Sequence, residues 1–247
     1  MPYLLPMKSV FCILLVSALL PLSALTQASQ QLVLGVSEGW NSSSATLAFY
    51  QKKGKEWVRE LGPQQVRLGK AGLAWGRGLH QNPAGVTLKR EGDRRSPAGA
   101  FYIGGAWGYA PTIHKHPALP YRRVTSRDLW IEDVNNPRYN QHLILDHEPR
   151  VAWERKAQMK QGDHAHSLKL FIAHNPPPNA IPGGGSAVFF HIWRRNGGKA
   201  TFGCTTMPEP FLKALIAKID PGKRPLYVLL PRAEYMRARS AWQLPAL

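Results

Sequence analysis

The sequence has few cysteines, few acidic residues and no long apolar run after its N-terminal stretch. Its 247 residues include two cysteines, Cys12 and Cys204, and 15 Asp and Glu against 32 Lys and Arg. Because no second apolar run follows the first, the rest of the chain contains no candidate for a transmembrane anchor. No internal repeat or low-complexity segment is present. The composition, with 22 Gly and 21 Pro, is typical of a turn-rich globular protein.

The N-terminus has the pattern of an export signal. Lys8 precedes the apolar run "VFCILLVSALLPLSAL", and small residues follow up to Ala28, where we place the cleavage site. We therefore predict a signal peptide over residues 1–28 and a single domain over residues 29–247, located in the periplasm or cell envelope. Cys12 would leave with the signal, so Cys204 would have no intramolecular disulfide partner. By cysteine count alone, an inert buried thiol and a reactive thiol are equally plausible.

The shortage of acidic residues gives a net charge of +17. A field of this sign favours a polyanionic partner. Nucleic acid is the usual first candidate. In an exported protein, however, peptidoglycan carboxylates and other anionic envelope components fit better than nucleic acid. The basic residues are scattered along the chain, so the charge does not identify the partner.

Short alternating or apolar runs between Gly and Pro positions predict a mainly β fold. The predicted strands are QLVLGVS, ATLAFYQ, KEWVREL, GLAWG, GAFYIG, DLWIE, HLILD, LKLFIAH, AVFFHIW and PLYVLLP. The segment "KKG" predicts a hairpin between the second and third. Helical periodicity is found in "PEPFLKALIAKIDPG", and "RAEYMRARSAW" is a second helix candidate, so one or two short helices are expected near the C-terminus. The Pro- and Gly-rich segments "GYAPTIHKHPALPY" and "AHNPPPNAIPGGGS" are predicted to be surface loops able to border a cleft.

Cys204 can act as a nucleophile only with a base nearby, and histidine is the natural base near neutral pH. His191 ends the apolar run "AVFF", and the turn-like "RRNGGK" that follows can bring Cys204 back beside it. Gly203 allows close backbone approach, and main-chain N–H groups there can face an oxyanion. The alternative is that His191 is an ordinary packed or solvated histidine at a strand end.

Several segments, in the same order, resemble the YkuD-type L,D-transpeptidases. "HIWRRNGGKATFGCTTM" resembles the family signature, a histidine followed by [Ser/Thr]-His-Gly-Cys. "KREGDRRSPAGAFYIGGAWGYAP" resembles its Gly-Asp-x-x-[Ser/Thr]-Pro-x-Gly-x-Phe segment. "LWIEDVNNPRYNQHLI" and "IPGGGSAVFFHIW" resemble the Trp-x-x-Asp…Tyr-Asn and Gly-Ser-x-x-Phe-x-His segments of one subgroup. This resemblance implies a YkuD-like β-sandwich or barrel and no cofactor.

The resemblance also implies roles for residues around the thiol. Cys204 matches the nucleophile that forms a thioester with a peptidoglycan stem peptide, and His191 matches the general base. Gly203 and Cys204 lie where the family's oxyanion-binding N–H groups lie, and Thr201 fills the Ser/Thr position. Attack on the thioester by another stem's amine makes a crosslink, whereas attack by water trims the peptide.

The sequence departs from the family signature beside the nucleophile. Phe202 replaces the usual histidine, and Thr206 stands where many relatives have Asn or Arg. Because of these changes, the sequence does not determine which crosslink is formed or whether the enzyme transfers or hydrolyses the peptide. Further expected substrate-binding residues, by resemblance alone, are Phe202, Thr201, Ser186, Tyr109, Trp130 and Asp133. Burial in the β core is an equally plausible reading for Trp130.

Two other readings compete with the transpeptidase prediction. The pairs His114/His116 and His164/His166 can each place two imidazoles on one face of a strand, but no third metal ligand is evident and no metal is predicted. The changes near Cys204 also leave open an inactive, basic wall-binding protein. An L,D-carboxypeptidase or endopeptidase with the same Cys-His dyad is the enzymatic alternative.

Overall fold

The computed structural model describes residues 26–247. All but the last three positions of the predicted signal peptide lie outside the described residues, so its removal stays a prediction. Within the described part, no helix has both the length and the apolar character needed to cross a membrane.

The strands predicted from sequence all form, and the mainly β prediction is confirmed. Their bounds are β1 Gln31–Ser37, β2 Ser44–Lys53, β3 Glu56–Arg67, β4 Leu73–Trp75, β5 Ser96–Gly108, β6 Tyr121–Arg123, β7 Asp128–Trp130, β8 His142–Ile144, β9 Leu168–Ile172, β10 Phe189–Ile192, β11 Thr205–Met207 and β12 Leu226–Pro231. Strands β6 and β11 were not predicted. Each has three residues, too few to show an alternation of period two.

The main sheet closes on itself as a barrel-like ring. Its strands follow the order β12-β1-β2-β3-β11-β10-β9-β5, and β5 also pairs with β12. Closure gives each ring strand a neighbour on both edges. Strands β1 and β12 are also buried on both faces along their whole length. The predicted hairpin joins β2 and β3, with Lys53 opposite Glu56 and Gly54 at φ +62° in the turn.

Apart from the helical residues 26–28, the described part of the chain has three short α-helices: α1 Ala152–Lys156, α2 Glu209–Lys218 and α3 Arg232–Ala238. The predictions of α2 and α3 are confirmed. Helix α2 begins after Pro208 and buries Leu212, Leu215 and Ile216. Helix α1 was not predicted, because five residues carry no helical periodicity. The Glu154 carboxylate stabilises the start of helix α1, where it accepts a hydrogen bond from the backbone N–H of Arg150 at 2.6 Å.

A long insertion between β5 and β9 forms a second layer beside the ring. It contains the β7-β8 hairpin and α1. A small apolar cluster fills the space beneath it, formed by Val124, Trp130, Met159, Phe171 and Phe189. Because Phe171 and Phe189 belong to the ring strands β9 and β10, this cluster fixes the insertion to the barrel.

Asn140 joins the insertion to the loop that follows β9. Its side-chain amide donates to His174 O and Asn175 O, and its Oδ1 accepts from Ala187 N at 3.0 Å and from Trp130 Nε1 at 2.9 Å. Each polar atom of this fully buried side chain is therefore satisfied. The predicted surface loop between β9 and β10 is held at both ends and forms a fixed border.

His174 and His191 are both buried as neutral imidazoles. Burial, reinforced by nearby positive charge, lowers the pKa of each to about 3. His174 donates from Nε2 to Gly184 O and accepts at Nδ1 from Arg77 N. In the unfolded chain a histidine titrates near pH 6.5. Their contribution to stability is therefore complete above about pH 6.5 and is lost as the pH falls towards 3.

We expect the free energy of unfolding to fall on acidification, and to fall less steeply in His174→Gln. Each such histidine contributes a slope of up to about 1.4 kcal/mol per pH unit below its unfolded pKa. Urea unfolding at several pH values between 7 and 4 measures the slope, and His114→Gln, at an exposed histidine, serves as the control. Equal slopes for the wild type and His174→Gln would contradict this account.

Candidate active site

The register of β10 and β11 brings Cys204 and His191 to one face of the sheet. The two strands run parallel, with His191 opposite Thr206 and Phe190 opposite Thr205. Side chains alternate along a strand, so Cys204, two positions before Thr206, lies on the His191 face. Both side chains line a cleft of about 520 Å³, a volume suited to a peptide-sized ligand. The segment after "RRNGGK" thus lies beside β10, as expected, and it runs parallel to β10.

The Cys204 thiol is partly screened from water. The residue is half-buried, and its Sγ donates to Ala187 O at 3.5 Å. Burial raises the pKa of the thiol above its ordinary value, while the Phe189 N–H and the Lys169 charge act in the opposite direction. Cys204 therefore rests as a neutral thiol.

His191 is held in one tautomer. Its Nδ1 donates to Ile192 O at 2.8 Å, which leaves Nε2 unprotonated and available as an acceptor. The His166 ring stacks on it, with ring centroids 4.7 Å apart. In the described residues no hydrogen bond joins His191 to Cys204. Proton transfer between them requires Sγ to leave Ala187 O.

The loop before Cys204 is closed by Thr201. Its hydroxyl donates to Cys204 O at 2.7 Å and accepts from Gly203 N at 3.0 Å. Gly203 has φ +148°, and a Cβ there would lie 3.0 Å from Arg95 O, so the position requires glycine. Ser96, at the start of β5, donates to Gly203 O at 2.8 Å. The Gly203 N–H, predicted as an oxyanion donor, is thus bonded to Thr201.

The predicted substrate-binding residues occupy different places. Phe202 is 72% exposed at the rim of the cleft, beside Thr201. Ser186 lines the cleft and donates to Glu91 at 2.7 Å. Trp130 lines the cleft from the insertion, where it is also buried in the small apolar cluster.

Tyr109 and Asp133 do not line the cleft. Tyr109 packs against the apolar cluster beneath the insertion. Asp133 lies in an exposed turn, where its carboxylate accepts from Asn135 N at 3.0 Å. Both residues belong to the inserted layer. The spacing of residues in the sequence did not reveal how this layer folds onto the barrel.

Several polar residues that line the cleft, among them Lys169, His166 and Arg194, were not singled out as site residues from the sequence. Lys169 faces the cleft from β9, opposite His191. His166 lies against His191 and is bonded to Asp163 at 2.6 Å, and Asp163 in turn is paired with Arg194. A lone lysine within the apolar strand "LKLFI" was the available signal for Lys169. The sequence offered no comparable signal for the stacking of His166 on His191.

Three of the histidines considered as metal ligands lie beside single carboxylates. His116 faces Asp220 at 3.7 Å, and His164 faces Glu209 at 3.1 Å. Among residues 26–247, no group of three or more His, Cys, Asp or Glu side chains is placed to hold a metal ion.

The closed sheet holds a cleft with a thiol and a neutral imidazole on one face, and this fold and site define a β-rich domain with a candidate catalytic cleft. The family model of the YkuD L,D-transpeptidase catalytic domain matches residues 40–228, and the chain belongs to this family. The matched range includes the cleft, Cys204 and His191. The YkuD domain acts on peptidoglycan stem peptides. No curated protein and no solved structure matches the chain with significant similarity.

Proposed function

We propose that the protein is an exported L,D-transpeptidase that crosslinks peptidoglycan stem peptides through a thioester on Cys204. The observation that carries this proposal is the placement of Cys204 and His191 on one face of the cleft. His191 is held through Nδ1 by Ile192 O, so that Nε2 is free to accept a proton. The family match supports the substrate class.

The first half of the reaction begins when the stem peptide displaces the Cys204 Sγ from Ala187 O. His191 Nε2 takes the thiol proton, and the sulfur attacks the carbonyl carbon on the L-centre of the diamino acid. A C–S bond forms and the C–N bond to the terminal D-residue breaks. The leaving amine takes the proton back from His191, so the imidazole is neutral again when the D-residue departs.

The second half of the reaction uses the same imidazole. An amine from another stem attacks the thioester carbonyl, and His191 accepts a proton from the attacking nitrogen. The C–S bond breaks, and the sulfur regains the proton. Stabilisation of the oxyanion in both halves falls to backbone N–H groups of the loop at Gly203 and Cys204, because this loop is closed by Thr201 and lies beside the sulfur. For Gly203 to donate, its bond to Thr201 must open.

Substrate binding is assigned to the rim and walls of the cleft. Phe202 presents an exposed aromatic ring beside the nucleophile, where a histidine is usual in the family signature. Trp130 forms part of the opposite wall, and Ser186 shapes the border of the cleft through Glu91. The excess of basic residues suits the carboxylates of peptidoglycan in the periplasm or cell envelope.

Incubation with purified disaccharide-tetrapeptide muropeptides tests this function, with products identified by mass spectrometry. We expect dimers and released D-residue from the wild type. If tripeptide monomers are the sole product, the reaction is hydrolysis by an L,D-carboxypeptidase with the same dyad, and the proposed transfer is wrong. Unchanged tetrapeptide, with the protein still bound to isolated cell-wall sacculi, would overturn the enzymatic proposal in favour of a wall-binding role.

A further inference from the structure

Lys169 is a buried cation in the cleft without an anionic partner in the described protein. The residue is 4% exposed, and its Nζ donates to Met159 O at 2.9 Å. No ion pair of residues 26–247 includes it. Lys89, the other buried lysine that lines the cleft, is instead paired with Asp93 at 2.5 Å. A buried ammonium is costly without a negative charge nearby, so the cleft is built for an anion beside Lys169.

The strand register places Lys169 on the same face as the thiol. Lys169 lies opposite His191, and Phe189, two residues earlier on β10, lies on that face next to Cys204. The Lys169 Nζ stands 5.8 Å from the centre of the Phe189 ring. The lysine therefore extends over Phe189 in the cleft that Cys204 lines.

His191 does not supply this positive charge. It is buried, its Nδ1–H is bonded to Ile192 O, and His166 and Lys169 both oppose its protonation. A pre-formed thiolate–imidazolium pair is thus disfavoured at neutral pH. Lys169 lies on the nucleophile's face of the cleft as a buried cation at neutral pH, and burial lowers its pKa to about 8.

We propose that Lys169 is a positioning residue that stabilises the thiolate of Cys204 by its charge, while His191 carries the proton. This inference rests on the proposed role of Cys204 as nucleophile. When the thiol loses its proton to His191, the new negative charge at sulfur lies in the same cleft as the Lys169 ammonium group. The other charged groups that act on the thiol are Glu132, which opposes the thiolate, and Lys89, which favours it. Asp163 and Glu132 in turn favour the charged form of Lys169.

The test is the pH dependence of Cys204 alkylation by iodoacetamide in the full chain, since only the thiolate reacts. Mass spectrometry of the peptide that contains Cys204 separates its modification from that of Cys12. Alkylation of Lys169→Met, whose side chain suits the buried site, is expected to be about tenfold slower than that of the wild type at pH 7, where Lys169 is charged. The difference should shrink above about pH 8, where Lys169 loses its proton. Lys160→Met, at an exposed lysine outside the cleft, is the matched control.

An alkylation profile for folded Lys169→Met that coincides with the wild type would overturn the inference. Circular dichroism verifies the fold of each variant, and Lys169→Gln provides the same measurement if the methionine variant is unfolded. The proposed function is judged separately, from wild-type products with muropeptides. If the wild type is active and Lys169→Met is alkylated like the wild type, only the role of Lys169 is wrong. If the wild type is inactive with muropeptides, the proposed function is wrong.

Discussion

Cys204→Ala is expected to abolish covalent acylation by a carbapenem, and with it all turnover of stem peptides. The reason is that the substitution removes the sulfur atom that forms the acyl bond, while the half-buried site accepts the smaller side chain. Intact-mass measurement of the protein after incubation with the carbapenem reads the adduct directly. The wild type should gain one adduct, and the alanine variant none.

Cys12→Ala is the matched control, because it removes the other cysteine of the chain and leaves the cleft untouched. It should acquire the same adduct as the wild type. Equal labelling of Cys204→Ala and the wild type would show that the acyl group attaches elsewhere, and the assignment of the nucleophile would be wrong. An unlabelled wild type would also contradict it.

His191→Gln is expected to lower the rate of Cys204 acylation by about 10²- to 10⁴-fold, the usual contribution of a positioned general base. Glutamine retains hydrogen-bonding groups but cannot take the thiol proton. Because His191 is buried and neutral, the substitution should leave the fold intact. Stopped-flow or quenched-flow mass analysis of carbapenem acylation measures the rate constant at neutral pH.

The pH profile distinguishes a base from a structural histidine. In His191→Gln the residual acylation should rise steadily with pH, as hydroxide replaces the missing base and the thiol ionises. His114→Gln, at an exposed histidine outside the cleft, should behave like the wild type. A His191→Gln variant that folds normally and acylates at the wild-type rate would exclude His191 as the base.

Much of the ring was predictable because its strands are buried and regularly patterned. The runs that form β1, β9, β10 and β12 are nearly continuous in apolar residues, and each is bounded by Gly, Pro or polar residues. The helix α2 was predictable from its spacing of buried Leu and Ile after Pro208. The short elements β6, β11 and α1 were not, because three to five residues hold too little pattern to separate them from loops.

The residue types of the site could be predicted from the sequence, but the contacts between these residues could not. The unpaired cysteine after Thr-Phe-Gly and His191 upstream of it were predicted as site residues from the family resemblance. The bond between Gly203 N and Thr201 Oγ1, and that between the Cys204 Sγ and Ala187 O, depend on loop backbone geometry. Such geometry arises from packing against distant segments, as with Ser96 beneath Gly203.

The sequence by itself determined the β-rich class, the family resemblance, the lone thiol and the histidine that precedes it. Only the tertiary structure decided that β10 and β11 run parallel and that Tyr109 and Asp133 lie outside the cleft. It also decided that Lys169 lines the cleft with no ion pair to any residue of the described part. The physical reason is that local patterns encode which residues are buried, whereas the neighbours of a buried charge depend on strand register across the whole ring.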